Sequence, residues 1–107
     1  NDYLARYYRA RVLAETGSRA RAVEDLRRVL KSVPEDGQVH RTLGRIIGQS
    51  GDHFLGYVHL AYSRMYAHDL EEADRYMQQA RDLAQTPVQK EKVQKLKEEC
   101  SRRKEIL

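Results

Sequence analysis

The chain has few of the residues that interrupt helices or cross-link a fold. Its 107 residues include only two prolines and six glycines, and 40% of them are apolar and 34% charged. This composition favours long amphipathic helices over a strand-rich fold. Cys100 is the single cysteine, which excludes an internal disulfide and a cysteine-based zinc site and leaves the redox compartment undetermined. The length suits one domain with one core.

Long apolar segments are absent as well. No stretch approaches the roughly 20 apolar residues that span a bilayer, so we predict no transmembrane segment. The first residue is Asn1 rather than Met, and no apolar signal segment follows it. We therefore expect the chain to be a piece of a larger protein.

The excess of positive charge is small. Lys and Arg total 20 against 16 acidic residues, which gives a net charge of +4, with the surplus at the two ends of the chain. A surplus of this size is typical of a solvated surface. Attachment to nucleic acid or to an anionic membrane through the basic ends is therefore kept only as a weaker alternative.

Residues 43–52, LGRIIGQSGD, contain three glycines but lack the chemistry of a nucleotide loop. A P-loop requires Lys and then Ser or Thr directly after its last glycine, whereas Gly51 is followed by aspartate and histidine. We predict instead that Gly44 lies where two helices approach closely and that Gly51 forms a tight turn. For Gly48 we expect close packing by an aromatic neighbour.

The four histidines do not have the spacing of a metal site. They are His40, His53, His59 and His68. No two of them are three or four residues apart, and none belongs to an H-E-x-x-H motif. We interpret them as packing or surface residues. No catalytic residue, cofactor or small-molecule substrate is predicted for this chain.

Turn and capping signals divide the chain into helices. Gly17 tolerates left-handed geometry at the end of the first helix, and the turn at 34–37 separates the first pair of helices from the next. Asp69 and Thr86 each begin a capping box. These signals predict an all-α fold of about six antiparallel helices, over residues 2–16, 19–32, 37–49, 53–67, 70–84 and 87–105.

A pattern of bulky and small residues recurs after 34 residues. The first copy is Arg6, Ala10, Leu13, Gly17, Ala22 and Leu26, and the second is His40, Gly44, Ile47, Gly51, Gly56 and Leu60. The period and the small residues resemble the tetratricopeptide repeat. A further copy begins at Tyr57, only 17 residues after His40. The helix at 53–67 is therefore expected to act in two successive helical pairs.

The resemblance to tetratricopeptide repeats implies an α-solenoid. The whole chain, 1–107, is then one domain with a repeat at 3–36, an irregular repeat at 37–84 and a capping helix at 87–105. The capping helix has a narrow apolar stripe of Val93, Leu96 and Cys100 among charged residues. A stripe this narrow suits the shielding of a last helical pair better than docking on lipid.

The same resemblance implies a binding surface. First helices of tetratricopeptide pairs line a concave face, which places eight residues near one groove: Tyr7, Tyr8, Arg11, Arg41, Arg45, His59, Tyr62 and Tyr66. Tyrosine and arginine offer large planar contacts and donors that match carboxylates, so they suit a peptide or protein partner. The alternative is that the tyrosines are packing residues and the arginines are solvated.

One version of the family binds a terminal carboxylate through two lysines, two asparagines and an arginine. The corresponding positions here hold Tyr7, Arg11, Thr42, Leu55 and His59. We therefore do not expect a carboxylate clamp of the cochaperone type.

Residues 37–107 more specifically resemble the carboxy-terminal repeat region of BepA-like zinc metalloproteases. The segments HRTLGRIIGQSGD and YVHLAYSRMYAHDLEEADRYMQQARDLA, followed by a charged closing helix, carry the resemblance. It implies a domain that recruits substrates or partners in outer-membrane assembly in the bacterial periplasm. Zinc and the H-E-x-x-H motif would belong to a missing amino-terminal portion. A stand-alone scaffold in an unrelated assembly, cytoplasmic or periplasmic, is the alternative.

Overall fold

The six predicted helices are present, and each of their ends lies within one residue of the predicted position. The computed structural model describes residues 2–106; Asn1 and Leu107, the ends of the predicted 1–107 domain, lie outside the described residues. The helices are α1 (Tyr3–Glu15), α2 (Arg19–Ser32), α3 (Gly37–Gln49), α4 (His53–Tyr66), α5 (Leu70–Leu83) and α6 (Pro87–Ile106). No strand occurs between residues 2 and 106. The fold is therefore all-α, as predicted.

Aspartate side chains begin four of the helices. The carboxylates of Asp2, Asp36, Asp52 and Asp69 accept hydrogen bonds from backbone amides in the first turn of the helix that follows. At the start of α6, Thr86 and Gln89 form the predicted reciprocal capping box, with two bonds of 3.1 Å. These contacts satisfy amides that have no partner within a helix. Ser18, before α2, makes no such bond.

Three helices end in the same left-handed turn. The residues with positive φ are Gly17 (92°), Gly51 (107°) and His68 (63°). In each turn the next amide donates to the carbonyl five residues earlier: Ser18 to Leu13 (2.7 Å), Asp52 to Ile47 (3.2 Å) and Asp69 to Arg64 (2.9 Å). This bond is typical of helix ends that reverse the chain. The predicted tight turn at Gly51 is confirmed.

Buried apolar side chains form two clusters. The first comes from α1, α2 and α3 and includes Leu26 and Leu43. The second comes from α4, α5 and α6 and includes Met65 and Leu96. Leu55 packs against both clusters. This side chain therefore connects the two clusters.

The two clusters meet where α3 and α4 pack backbone against backbone. A Cβ atom added at Gly44 would lie 2.8 Å from the carbonyl oxygen of Gly56, and one added at Gly56 would lie 3.2 Å from the Cα of Gly48. The predicted close approach at Gly44 is thus confirmed. The prediction for Gly48 is wrong, because its neighbour is the backbone of Gly56 and not an aromatic ring. Gly37 makes a similar approach to Ser63.

Each helix packs against the helices before and after it in the chain, and α1 also contacts α3. Helices α4 and α6, which are likewise not consecutive in the chain, are also in contact. Helix α4 therefore packs on α3, α5 and α6. This arrangement leaves one face of α1 and one face of α3 side by side on the surface.

Candidate binding groove

A groove of about 430 Å³ lies between α1 and α3 and reaches the start of α2. We call it the arginine groove, because four arginines line it: Arg11, Arg19, Arg41 and Arg45. At its floor, the hydroxyl groups of Tyr7 and Thr42 are 2.7 Å apart and form a hydrogen bond between α1 and α3. Tyr7 is only 5% exposed. The floor is consequently fixed by packing and by this bond.

The arginine side chains stand around this fixed floor. The guanidinium carbon of Arg11 lies 6.0 Å from the ring centre of Tyr7 and 5.9 Å from that of Tyr8. The two rings meet edge to face, with centres 5.4 Å apart. Such contacts hold an exposed guanidinium over aromatic rings. The Arg11 guanidinium therefore lies beside both rings at the edge of the groove.

The groove carries a concentration of positive charge. Glu15 is the one acidic residue in its lining. None of the four arginines forms an ion pair with another residue between positions 2 and 106, whereas arginines elsewhere, such as Arg9 and Arg64, do. Unpaired cations that share a concave surface favour an anionic ligand. Arg19 was not among the predicted site residues, because its position at the start of α2 gave no signal that it would reach α1 and α3.

The structure does not bring the eight predicted residues together. Tyr7, Arg11, Arg41 and Arg45 line the arginine groove, and Tyr8 borders it through Arg11. The other three, His59, Tyr62 and Tyr66, surround His40 elsewhere. The expectation of a single groove with all eight residues is thus corrected.

The cause is the close packing of α3 on α4. The Cβ of His59 would lie 3.1 Å from a Cβ at Gly44, so His59 is directed at α3 beside the helix crossing. Residues three and seven positions further along α4 share this face. Tyr62 and Tyr66 consequently lie on the same face of α4 as His59 and contact His40.

These residues form a histidine–tyrosine cluster, defined as His40, His59, Tyr62 and Tyr66. The His40 ring centre lies 5.3 Å from the His59 and Tyr62 rings and 5.5 Å from Tyr66. The guanidinium of Arg103, on α6, lies 5.0 Å from the Tyr66 ring centre. The cluster therefore packs α3, α4 and α6 together.

Hydrogen bonds fix the protons of the two histidines. Nε2 of His40 lies 2.9 Å from the carbonyl oxygen of Pro34, so it must be the donor. Nδ1 of His40 lies 3.0 Å from Nδ1 of His59; in a neutral His40 this atom accepts, and His59 donates. Burial, with a contribution from nearby His40, lowers the pKa of His59 to about 3, and burial also lowers the pKa of His40. Both rings are neutral near pH 7.

Neither place has the composition of a metal centre. Within residues 2–106 there is no group of three or more His, Cys, Asp or Glu side chains that could hold a metal ion. In the same part of the chain, no helix is both long and apolar enough to cross a membrane. The groove combines four arginines with the buried Tyr7 ring at its floor.

The chain has no match among protein-family models, curated proteins or solved structures.

Proposed function

We propose that this chain is a protein-interaction module that binds a segment of a partner protein in the arginine groove. The observation that carries the proposal is the set of four arginines without ion pairs around the buried, hydrogen-bonded Tyr7. A guanidinium group donates two parallel hydrogen bonds to a carboxylate. Arginine and tyrosine are also the residues that most often dominate the energy of protein interfaces.

The rigidity of the floor supports binding with little reorganisation. Tyr7 is held by packing and by Thr42 before any ligand arrives, and the Arg11 guanidinium already lies over two rings. Side chains that are ordered in advance lose less entropy when a partner binds. The groove can therefore use its few contacts efficiently.

The module is proposed to be a divergent tetratricopeptide-type repeat. In support, the left-handed turns at Gly17 and Gly51 are 34 residues apart, and the turn at His68 follows after 17 more. The same half-repeat step separates His40 from Tyr57 in the sequence. A helix that belongs to two successive pairs needs neighbours on several sides, and α4 packs against α3, α5 and α6.

Resemblance alone supports a more specific proposal. In it, the module recruits substrates or assembly partners to a BepA-like zinc metalloprotease of the periplasm, and zinc and catalysis belong to another part of that protein. A scaffold in an unrelated assembly is the alternative. The coding sequence upstream distinguishes them: an H-E-x-x-H motif is expected for the protease, and its absence would remove the protease from consideration.

Binding in the groove can be tested with a double variant. Peptides selected against the wild-type protein from a random display library should bind at least about tenfold more weakly to Arg11→Gln/Arg45→Gln, because two of the unpaired cations are lost. Arg21→Gln/Arg81→Gln removes the same charge from two exposed positions outside the groove and is the matched control. Isothermal titration calorimetry measures both. Equal affinity of the two double variants would place the binding surface elsewhere.

A further inference from the structure

Helix α1 exposes an apolar stripe next to the arginine groove. Leu4, Tyr8 and Val12 are 51%, 57% and 58% exposed. They are four residues apart, so they lie along one face of the helix. We call them the α1 stripe. Exposed apolar side chains that are grouped together often mark a binding site for another molecule, whereas single ones do not.

The α1 stripe and the groove are parts of one surface. Tyr8 belongs to the stripe and the adjacent Tyr7 to the groove floor, and their rings are in contact. The guanidinium of Arg11 lies at nearly the same distance from both rings and thus stands at the border. A ligand that covers the stripe therefore meets the arginines along one edge.

The dimensions restrict what the ligand can be. The groove has a volume of about 430 Å³, which is room for several side chains of a ligand. The stripe spans nine residues of α1, from Leu4 to Val12, and the rise between its ends is about 12 Å or two helical turns. These lengths match a short helix that lies on α1 and extends its side chains into the groove.

We infer that the partner segment is an acidic amphipathic helix. Its apolar face covers Leu4, Tyr8 and Val12, and Asp or Glu side chains along one flank enter the groove and pair with Arg11, Arg41 and Arg45. This inference rests on the proposed function and adds the chemical class and the conformation of the partner. Charge complementarity defines the acidic flank, because the groove has four unpaired arginines and one acidic residue.

The α1 stripe also favours a protein partner over other anionic ligands. Phosphate groups of a nucleic acid would use the arginines but would leave three large apolar side chains in water. Only an amphipathic partner satisfies both halves of the surface, because it buries apolar area at the stripe and neutralises charge in the groove.

The test uses two fluorescently labelled synthetic peptides of about 16 residues, long enough for four helical turns. The first peptide carries leucines along one face and glutamates along one flank. The second is identical except that every glutamate is glutamine. Fluorescence anisotropy with the complete chain should show at least about tenfold tighter binding of the acidic peptide. Equal affinity for the two peptides would overturn the acidic class.

Two double variants separate this inference from the proposed function. Leu4→Ser/Val12→Ser should weaken binding of the acidic helix about tenfold. Because both side chains are exposed, we expect this variant to fold normally, and circular dichroism checks that it does. If that variant binds normally while Arg11→Gln/Arg45→Gln does not, the groove binds peptides but the helix inference is wrong. If neither variant has an effect, both proposals fail.

Other anionic ligands are tested with the same protein. Binding of single-stranded DNA or of vesicles containing phosphatidylglycerol should be weak, and both should be lost at moderate salt. If either is bound as tightly as the acidic peptide with the same dependence on Arg11 and Arg45, the surface recognises phosphate and the inference is overturned.

Discussion

The hydrogen bond between His40 and His59 joins two rings whose pKa values are both lowered by burial. Protonation of both rings would place two N–H groups face to face, because Nε2 of His40 already donates to Pro34. The surrounding charges also oppose protonation, since Arg27 and Lys92 act in the same direction as burial on the pKa of His59. At the scale of single residues, the α3–α4 contact is therefore sensitive to acid.

The pH dependence of stability should show this effect. An unfolded histidine has a pKa near 6.5, whereas the folded value for His59 is about 3. As the pH falls, the unfolded state takes up the proton first. The contribution of neutral His59 to the free energy of unfolding is therefore complete above about pH 6.5 and is lost as the pH falls toward 3. Between pH 7.5 and 5 we expect a loss of about 1–2 kcal/mol in urea denaturation.

The control for this measurement is a comparison of two variants. His59→Gln should be less stable at pH 7.5 but should lose less between pH 7.5 and 5 than the wild type does. His53→Gln, at an exposed position at the start of α4, should retain the full loss. A wild-type pH profile that survives in His59→Gln would exclude this histidine as its cause.

His68 is a second residue whose conformation predicts a measurable effect. It has φ of 63° at the end of α4, where the equivalent turns have Gly17 and Gly51. A residue with a Cβ is strained in this region, while glycine is not. His68→Gly is therefore expected to raise the free energy of unfolding by about 0.5–1 kcal/mol.

The converse substitution tests the same turn. Gly51→Ala should lower the free energy of unfolding by about 1 kcal/mol, because no other atom lies within 4 Å of the added methyl group and only the backbone is strained. Thermal unfolding measures both variants. A destabilised His68→Gly would mean that the histidine side chain makes a contribution larger than the backbone strain.

At the scale of helices, the contact between α3 and α4 depends on glycine. Gly44 and Gly56 allow the two backbones to approach where larger residues would keep them apart. The consequence is that α3 and α4 are joined by close backbone packing and by polar rings, while the large apolar side chains lie on either side in separate clusters.

Two alanine substitutions on α3 should have opposite effects. Gly44→Ala places a methyl group 2.8 Å from the Gly56 oxygen, so the helices must separate, and we expect a loss of about 2 kcal/mol. Gly48→Ala meets no atom within 4 Å and should gain about 0.5–1 kcal/mol from helix propensity. Guanidinium denaturation of both proteins provides the comparison. Equal effects would show that propensity, and not the crossing, determines stability there.

The sequence predicts the helices better than the contacts between them. Caps at Asp69 and Thr86 are formed by neighbours in the chain, so their spacing can be read directly. The bond between His40 and His59 joins residues 19 positions apart on two helices, and the pair of Arg9 with the buried Asp25 also joins two helices. Such pairs depend on the crossing geometry, and no local pattern predicts them.

At the scale of the whole molecule, the contacts between helices decide which of the predicted site residues lie together. Three of the four groove arginines, Arg11, Arg41 and Arg45, are predicted from the sequence because α1 and α3 carry the pattern that recurs after 34 residues. The residues on α4 were predicted from a half-repeat shift, and this shift gives the helix order without giving the direction of each face. In the structure, Tyr7 and Arg45 line the same groove. Tyr66 instead contacts Arg103 of α6.

The two apolar clusters should nevertheless unfold together. Each comprises three helices, and a unit of about 50 residues buries so little surface that its stability alone is marginal. The close α3–α4 contact connects the clusters directly. Destabilisation of the second cluster should therefore reach the first. Leu96→Val removes one methylene from a side chain with 0% exposure, and we expect it to cost about 1 kcal/mol.

Hydrogen exchange followed by mass spectrometry can locate that loss. In a single cooperative unit, Leu96→Val lowers the protection of amides in α1 and α2 by about fivefold, although these helices are far from the substitution in the chain. Leu83→Val makes the same chemical change at the end of α5, where the side chain is 42% exposed, and should change protection little. A loss confined to α4, α5 and α6 would mean that the halves open independently, and the arginine groove, built only from α1, α2 and α3, would then retain its shape without the rest of the chain.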